Sequence, residues 1–271
     1  MTDEERRDRR DLRRPSPRVR RRRVIAALIV AVVFTGAVIG SILLFAPHPQ
    51  EENVAESPTP TPTQSTPSPH PTGPIKSTFD KRAFSIDDPA SLWVVVNKLR
   101  PLNPQDYAAP DLVDVPVPHV YSPQLRQEAS DQIVAMFAAF TAETGLQMQS
   151  QSAYRSYAAQ QSVYGGNDTL TARPGYSEHQ TGLAMDISAL PNVCALQICF
   201  ADTPQGQWLA ANAYKYGFVL RYPDGMTDIT GYQFEPWHYR YVGIALATEM
   251  HDTGIATLEQ FFGLPAAPNY Q

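Results

Sequence analysis

The chain has 271 residues, of which 43% are hydrophobic and 18% charged, so at least one well-packed globular domain is expected. Its net charge of −5 hides an asymmetry: residues 1–23 contain eleven Arg and five acidic residues, whereas the remainder carries 11 basic and 22 acidic residues. This division excludes an even mixture of charge along the chain and indicates two compartments or two tasks.

An apolar segment near the amino terminus predicts a membrane anchor. Residues 24–45 contain no charged side chain, and a helix of that length spans about 33 Å, enough for a hydrocarbon core of about 30 Å. The Arg-rich block at residues 18–23 precedes it and is expected to stay in the cytoplasm. We predict a cytoplasmic basic segment at residues 1–23, a transmembrane helix at 24–46 and an extracytoplasmic remainder. A cleavable signal peptide, and nucleic-acid binding by the Arg block, are the alternatives.

The next segment has the composition of a linker. Residues 47–75 contain nine prolines interleaved with Thr and Ser, and they offer neither the backbone donors nor the apolar surface that folding requires. In a polyproline-like conformation such a segment reaches on the order of 90 Å, at about 3.1 Å per residue. We interpret it as a stalk that precedes the domain at residues 76–271.

Residues 76–271 have the length and pattern of one globular domain. Short β-branched or aromatic runs predict strands and periodic apolar residues predict helices, in an irregular order that favours an α+β fold over a doubly wound sheet. The predicted strands lie at residues 92–96, 147–155, 183–187, 218–222 and 234–241. The predicted helices lie at residues 123–144, 205–216 and 242–251; the first starts at Ser122-Pro123 and the second stops at Gly217.

The two cysteines, Cys194 and Cys199, exclude a structural four-thiolate zinc site within one chain. An exported domain permits a small disulfide between them. We predict this pairing in preference to two free thiols near a loop, although only the tertiary structure decides whether their Cα atoms lie close enough.

Two of the four histidines in this domain stand beside acidic residues. His179 and Asp186 fall within S-E-H-Q-T-G-L-A-M-D, and His238 follows Glu235 in E-P-W-H-Y-R-Y. Two imidazoles and a carboxylate are a ligand set for catalytic zinc, with Glu235 beside the attacking water as general base. Pro236 and the aromatic run exclude the helical HExxH arrangement. Spacing alone leaves two alternatives open. The histidines could be core residues whose nitrogens form hydrogen bonds within the protein, or the same three ligands could bind non-haem iron.

The literal residues around these positions resemble the D-alanyl-D-alanine carboxypeptidases of the VanY type. S-E-H-Q-T-G-L-A-M-D matches that family's S-x-H-x-x-G-x-A-x-D signature, and E-P-W-H-Y-R-Y-V-G matches its second metal motif. The resemblance continues through W-V-V-V-N-K-L-R-P-L, S-A-Y-R-S-Y-A-A-Q, A-R-P-G-Y and Y-G-F-V-L-R-Y-P, and it covers about residues 93–243 in the family's order. It implies the small α+β zinc metallopeptidase fold with a central antiparallel sheet, which is shared with the Hedgehog signalling domain.

The resemblance implies a metal centre and its base. His179, Asp186 and His238 are the implied ligands, and zinc rather than iron is the implied metal. Glu235 is the implied catalytic base, which takes a proton from the attacking water.

Three further residues are assigned by the same resemblance. Arg155 matches the arginine that stabilises negative charge developing at the scissile carbonyl; the alternative is an ion pair with a surface carboxylate. Ser177 and Gln160 fall where the family contacts substrate, although Ser177 could be a loop or capping residue.

The remaining residues of the two motifs are interpreted structurally. Gly182 is expected to serve the backbone of a tight turn. Trp237 and Tyr239 fit core packing at least as well as stacking on a substrate. Arg173 and Glu178 flank the first motif and are interpreted as solvated.

The function implied is a zinc carboxypeptidase that removes the terminal D-alanine from peptidoglycan stem peptides, with its catalytic domain outside the cell membrane. The alternatives are an L,D-carboxypeptidase acting on tetrapeptide stems, a wall endopeptidase and a non-catalytic wall-binding or signalling module. The presence of Glu235 with all three ligands argues against the module, which could lose the base without penalty.

Overall fold

The computed structural model describes residues 79–271, and the predicted basic segment, membrane anchor and linker lie outside them. Among the helices of this described part, none is long and apolar enough to cross a membrane. The fold therefore bears only on the domain predicted at residues 76–271.

Six strands and six α-helices make up the regular structure of residues 79–271. The strands are β1 (Leu112–Asp114), β2 (Gln124–Arg126), β3 (Gln147–Ser152), β4 (Ala184–Leu190), β5 (Phe218–Leu220) and β6 (His238–Tyr241). The helices are α1 (Gln127–Thr144), α2 (Tyr157–Val163), α3 (Pro204–Asn212), α4 (Thr227–Thr230), α5 (Ile244–Thr253) and α6 (Leu258–Phe262). Short 3₁₀ helices lie at Glu178–Thr181, Ile198–Asp202 and Ala213–Tyr216.

The central sheet has the strand order β3-β4-β6-β5, and every neighbouring pair in it is antiparallel. Strands β1 and β2 form a separate antiparallel pair. The predicted mixture of helices with an antiparallel sheet is thereby confirmed. Asp186 lies opposite His238 of β6 and opposite Ser152 of β3, so the register itself brings two of the predicted ligands side by side.

Helix α1 packs its apolar stripe onto the sheet. Its buried residues recur at three- and four-residue spacing, as the sequence predicts, and they are Ala129, Ile133, Met136, Phe137 and Phe140. They share one core with Met148 of β3 and Ile187 of β4. Each large apolar side chain buried in this way stabilises the fold by about 1.5–3 kcal/mol relative to its exposed state.

Two predicted elements differ from the structure. Helix α1 begins at Gln127 rather than at Pro123, because residues 124–126 pair with β1. Residues 93–96 are buried and Leu92 is partly buried, but none of them is in a strand, so this prediction is wrong. Their backbone carbonyls accept hydrogen bonds from arginine side chains instead of from a neighbouring strand: Arg240 donates to Leu92 and Val94.

Other boundaries shift by a few residues. Strand β6 begins at His238 rather than at residue 234, because the His238 N–H bonds the Glu235 carbonyl and closes a turn. The helix predicted to stop at Gly217 does so, in a final 3₁₀ turn, and Gly217 adopts a φ of +79°. A side chain at Gly217 would also come within 2.9 Å of the backbone of Gly243.

Cys194 and Cys199 form the predicted disulfide, with their Cα atoms 5.6 Å apart. It closes the loop that follows β4. Leu196, between the two cysteines, lies at the rim of the cleft that contains the predicted ligands.

Candidate active site

Three different elements bring the predicted metal ligands together. His179 is on the 3₁₀ helix Glu178–Thr181, Asp186 on β4 and His238 on β6, and one ligand atom from each lies within 4.8 Å of the others. The Asp186 carboxylate stands between the two rings, with Oδ2 3.3 Å from His179 Nε2 and Oδ1 3.1 Å from His238 Nδ1. All three side chains are buried.

The turn before β4 depends on glycine. Gly182 ends the 3₁₀ helix with a φ of +69°, and a β-carbon there would lie 2.7 Å from Leu112 Cδ2. The predicted role of Gly182 in a tight turn is therefore confirmed. His179 and Asp186 are seven residues apart in sequence, and this turn brings their side chains into contact.

The two histidines direct different nitrogens to the cluster. His179 Nδ1 lies 2.7 Å from the Ala153 carbonyl oxygen, so it carries a proton and leaves Nε2 facing Asp186. His238 is turned the other way: Nδ1 faces Asp186, and Nε2 lies 3.3 Å from Glu178 Oε2. Each ring thus has an acceptor on the side away from the cluster, an arrangement usual for metal-bound histidine.

The donor set suits a divalent metal such as zinc. The nearby imidazoles hold the pKa of Asp186 well below its usual range despite burial, so its oxygens are available as anionic donors. Burial lowers the pKa of His179, which keeps that ring neutral. His238 differs, because the carboxylates of Asp186 and Glu178 outweigh burial and raise its pKa to about 9. Metal binding at Nδ1 must therefore displace a proton.

Glu235 lies at the cleft side of the cluster, with Oε2 3.9 Å from His238 Nδ1. Burial is the main reason that its pKa rises to about 8, and the repulsion from Asp186 adds to it, while His238 and Arg155 oppose the rise. A carboxyl group with a pKa in this range can both take and return a proton near neutral pH. A bound dication would lower this raised pKa.

Arg155, Gln160 and Ser177 line the same open cleft, whose volume is about 290 Å³. Arg155 immediately precedes the α2 cap residue Ser156, and its backbone N–H donates to the His179 carbonyl. Burial lowers the pKa of its guanidinium, and the carboxylates of Asp186 and Glu235 oppose that shift.

The two predicted substrate contacts differ in what they offer. Gln160 Nε2 donates to the Ala172 carbonyl, and its Oε1 has no hydrogen-bond partner among the described residues. That oxygen is buried without a partner, and the residue itself lines the cleft. Ser177 precedes the 3₁₀ helix without a side-chain capping bond, so the capping alternative is not supported.

Trp237 and Tyr239 both belong to the hydrophobic core, as their structural interpretation predicts. Trp237 also lines the cleft. Arg173 forms an exposed ion pair with Asp168, in keeping with its interpretation as solvated.

The interpretation of Glu178 as solvated is wrong. Its side chain has no exposed surface and contacts two buried arginines, Arg221 and Arg240, as well as His238. Sequence patterns gave no role to Arg221 or Arg240. The available signal was that both fall within predicted strands, where an unpaired charge would be costly.

The mixed helix and antiparallel-sheet fold, with a buried His/Asp/His cluster in a cleft beside a carboxyl group and an arginine, defines the chain as a zinc metallopeptidase of the carboxypeptidase type. The family described as VanY, D-alanyl-D-alanine carboxypeptidase, matches residues 122–244.

Individual relatives match a larger share of the chain. The putative carboxypeptidase YodJ of Bacillus subtilis (strain 168) is 39% identical over 191 residues, which are 66% of this chain and 69% of that protein. The structure of the LdcB LD-carboxypeptidase has a TM-score of 0.60 and 41% identity, covering 65% of this chain and 87% of that one. A vancomycin-resistance D,D-pentapeptidase, VanY, in complex with Zn(II) has a TM-score of 0.51 and 31% identity, covering 63% and 98%. The chain belongs to the VanY family of D-alanyl-D-alanine carboxypeptidases.

Proposed function

We propose that the protein removes the terminal D-alanine from peptidoglycan stem peptides as a D,D-carboxypeptidase. The observation that carries the proposal is the convergence of the His/Asp/His cluster, Glu235 and Arg155 on one cleft. The family match to D-alanyl-D-alanine carboxypeptidases supports the choice of substrate.

His179, Asp186 and His238 would hold the zinc ion, which when bound acts as a Lewis acid and makes water a stronger nucleophile. Glu235, buried beside His238, takes the proton of the attacking water and then returns it to the leaving amine of D-alanine. Arg155 supplies a fixed positive charge to the oxygen of the scissile carbonyl. Gln160 and Ser177 line the part of the cleft that would contact the stem peptide.

Two catalytic properties follow from the surroundings of these side chains. Glu235 is only 7% exposed, which limits exchange of its proton with bulk water. Arg155 interacts electrostatically with both Asp186 and Glu235. Its guanidinium already carries a positive charge before substrate enters. Groups that are fixed in this way lose little free energy to reorganisation during the reaction.

A second candidate is an L,D-carboxypeptidase that trims tetrapeptide stems. The 41% identity to the LdcB LD-carboxypeptidase favours it. Both candidates use the same metal cluster, base and arginine, so they differ in the bond that the cleft selects.

We also propose that the catalytic domain acts outside the cell membrane, on the stalk at residues 47–75 and anchored by residues 24–46. The disulfide between Cys194 and Cys199 supports this placement, because disulfides persist mainly in oxidising compartments. The location of peptidoglycan stem peptides outside the membrane agrees with it.

The test compares the full-length chain, purified in a mild detergent, with its Glu235→Ala variant. Each is incubated with a pentapeptide ending in D-Ala-D-Ala and with the matching tetrapeptide, and released D-alanine is measured. Release from the pentapeptide alone, abolished by the substitution and by a chelator, is the expected result. Release from the tetrapeptide alone would replace the proposal with the L,D-carboxypeptidase. No release from either, by protein with one zinc per chain, would reject both.

A further inference from the structure

Glu178 is a fully buried carboxylate directly behind the candidate metal centre. It stands next to His179 in sequence, and its side chain reaches His238. Its Oε1 accepts hydrogen bonds from Arg221 Nε at 2.8 Å and from Arg240 Nη1 at 3.0 Å. Its Oε2 lies 3.3 Å from His238 Nε2. The two oxygens therefore have separate partners.

The contact with His238 has a defined direction. An ionised carboxylate can only accept hydrogen bonds, so the proton between the two atoms belongs to His238 Nε2. Arg221 and Arg240 both donate to Glu178, and these two adjacent guanidinium groups keep the carboxylate ionised. With Nε2 protonated, the lone pair of a neutral His238 ring is on Nδ1, the nitrogen that faces Asp186.

Glu178 is itself held from two sides. Arg221 donates from Nη1 and Nη2 to the two carboxylate oxygens of Glu259 in α6, at 2.9 and 2.7 Å. Arg240 donates from Nη2 to the carbonyls of Leu92 and Val94. Two arginines balance two glutamates in this cluster, so the buried charges are compensated and the geometry is rigid.

We propose that Glu178 is a positioning residue that holds His238 with its proton on Nε2 and directs Nδ1 to the metal. The inference rests on the metal centre of the proposed function and adds a residue to it. Through Arg221 and Arg240, Glu178 links that centre to α6 and to residues 92–96, which lie far from it in sequence. His179 needs no such side chain, because the Ala153 carbonyl performs the equivalent task.

Substitution Glu178→Gln tests this role with almost no change in shape. A glutamine has one acceptor oxygen, and Glu178 needs two acceptors: one for the arginines and one for His238. If the oxygen stays with the arginines, the amide NH₂ faces the His238 Nε2–H; if it turns to His238, the NH₂ faces the guanidinium groups. Loss of a residue that orients a metal ligand typically weakens metal binding about 10- to 100-fold. We expect a loss of zinc affinity in that range.

The matched control is Glu259→Gln, at the other end of the same cluster. It removes one negative charge from beside Arg221, which Glu178 also contacts, but leaves the Glu178–His238 contact in place. Zinc affinity is measured on the full-length chain in detergent by competition with a chromogenic chelator, and thermal unfolding is followed without metal. We expect both variants to unfold at lower temperature and only Glu178→Gln to lose zinc affinity, with Glu259→Gln within about threefold of wild type. Equal losses in the two variants, or none in Glu178→Gln, would overturn the proposal.

A second measurement needs no variant and so covers the case in which Glu178→Gln does not fold. Nitrogen-15 NMR of histidine in the zinc-loaded wild-type chain distinguishes metal-bound Nδ1 from metal-bound Nε2. We expect His238 to be bound through Nδ1 with a protected proton on Nε2; metal on Nε2 would overturn the proposal. Both readouts concern metal binding, so a chain that binds zinc in this way but releases no D-alanine would reject the proposed function and leave the role of Glu178 intact.

Discussion

Two buried glutamates flank His238, and their pKa values are shifted in opposite directions. Glu178 lies on the inner side, against Arg221 and Arg240, and these arginines hold its pKa well below the usual range. Glu235 lies on the cleft side without such a partner, and burial raises its pKa to about 8. Both carboxyl groups are nearly inaccessible to solvent, so burial alone does not decide the ionisation state.

The difference lies in where compensating charge is placed. Two guanidinium groups make the ionised form of Glu178 the stable one and fix its oxygens as permanent acceptors. The negative charge of Glu235 has no such guanidinium partner, so the free-energy difference between its protonated and ionised forms is small near neutral pH. One side of His238 is therefore suited to structure and the other to proton transfer.

The largest expected effect is on the cleft side. Glu235→Gln should lower the rate of D-alanine release by about 10²- to 10⁴-fold, because the amide cannot take a proton from water. Zinc stoichiometry and the unfolding temperature of the zinc-loaded chain serve as controls and should stay close to wild type. Retention of more than a tenth of the activity would mean that another group is the base.

On the inner side the expected effect is on stability. Arg221→Met leaves Glu178 and Glu259 without their shared guanidinium, and breaking a buried ion pair from one side costs about 3–5 kcal/mol. Urea unfolding followed by tryptophan fluorescence measures this loss in free energy of unfolding. Arg82→Met is the matched control, because Arg82 pairs with Asp80 at the surface and its loss should be undetectable. Similar stabilities for the two variants would contradict the structural role of the inner cluster.

Arg155 sharpens the comparison because it is a cleft-side arginine with no carboxylate hydrogen-bonded to it among the described contacts. We expect Arg155→Met to lower kcat by about 10²- to 10³-fold, as loss of an oxyanion-stabilising donor does. Arg155→Lys should recover part of this loss, since it restores charge without the planar fork of donors. A change in KM alone, with kcat unaltered, would assign Arg155 to substrate binding instead.

The smallest expected effect is the pH dependence of stability in the metal-free chain. Glu178 and Glu259 have lowered pKa values in the folded state, so their contribution is present above about pH 4.3 and is lost as the pH falls towards those folded-state values. Glu235 has a raised pKa, so its contribution is present below about pH 4.3 and is lost as the pH rises through 8.

The unfolding temperature of wild type and Glu235→Gln, measured between pH 4 and 9, separates these contributions. His238, whose pKa is raised to about 9, also loses stabilisation as the pH rises, but it does so in both proteins. The unfolding temperature of Glu235→Gln should therefore rise relative to that of wild type as the pH increases. The expected change is about 2–4 °C for each kcal/mol of stability that wild type loses. A constant difference across this range would show that Glu235 ionises normally in the folded chain.

Local patterns in the sequence predicted much of the fold. The apolar spacing of α1 follows directly from helical geometry, and Gly217 ends its helix because a left-handed residue is needed there. The predicted strand at residues 92–96 was wrong because a β-branched run indicates burial but does not specify a sheet. Here the backbone carbonyls of Leu92 and Val94 accept hydrogen bonds from an arginine side chain rather than from a neighbouring strand.

The candidate site divides in the same way. The residue types and the literal motifs were enough to predict His179, Asp186, His238, Glu235 and Arg155, since a metal ligand must be a particular kind of side chain. The residues adjacent to a glutamate in sequence do not determine whether it is ionised in the folded protein. Glu178 meets partners 43, 60 and 62 residues away, and only the pairing of β6 with β4 and with β5 brings them together.

The sequence by itself therefore determined which side chains could bind a metal and carry out hydrolysis, because chemical identity is local. The tertiary structure decided which nitrogen of His238 faces the cluster, which glutamate stays ionised and which can exchange a proton. Those properties depend on charges and hydrogen bonds from distant segments, which come within reach only in the folded chain.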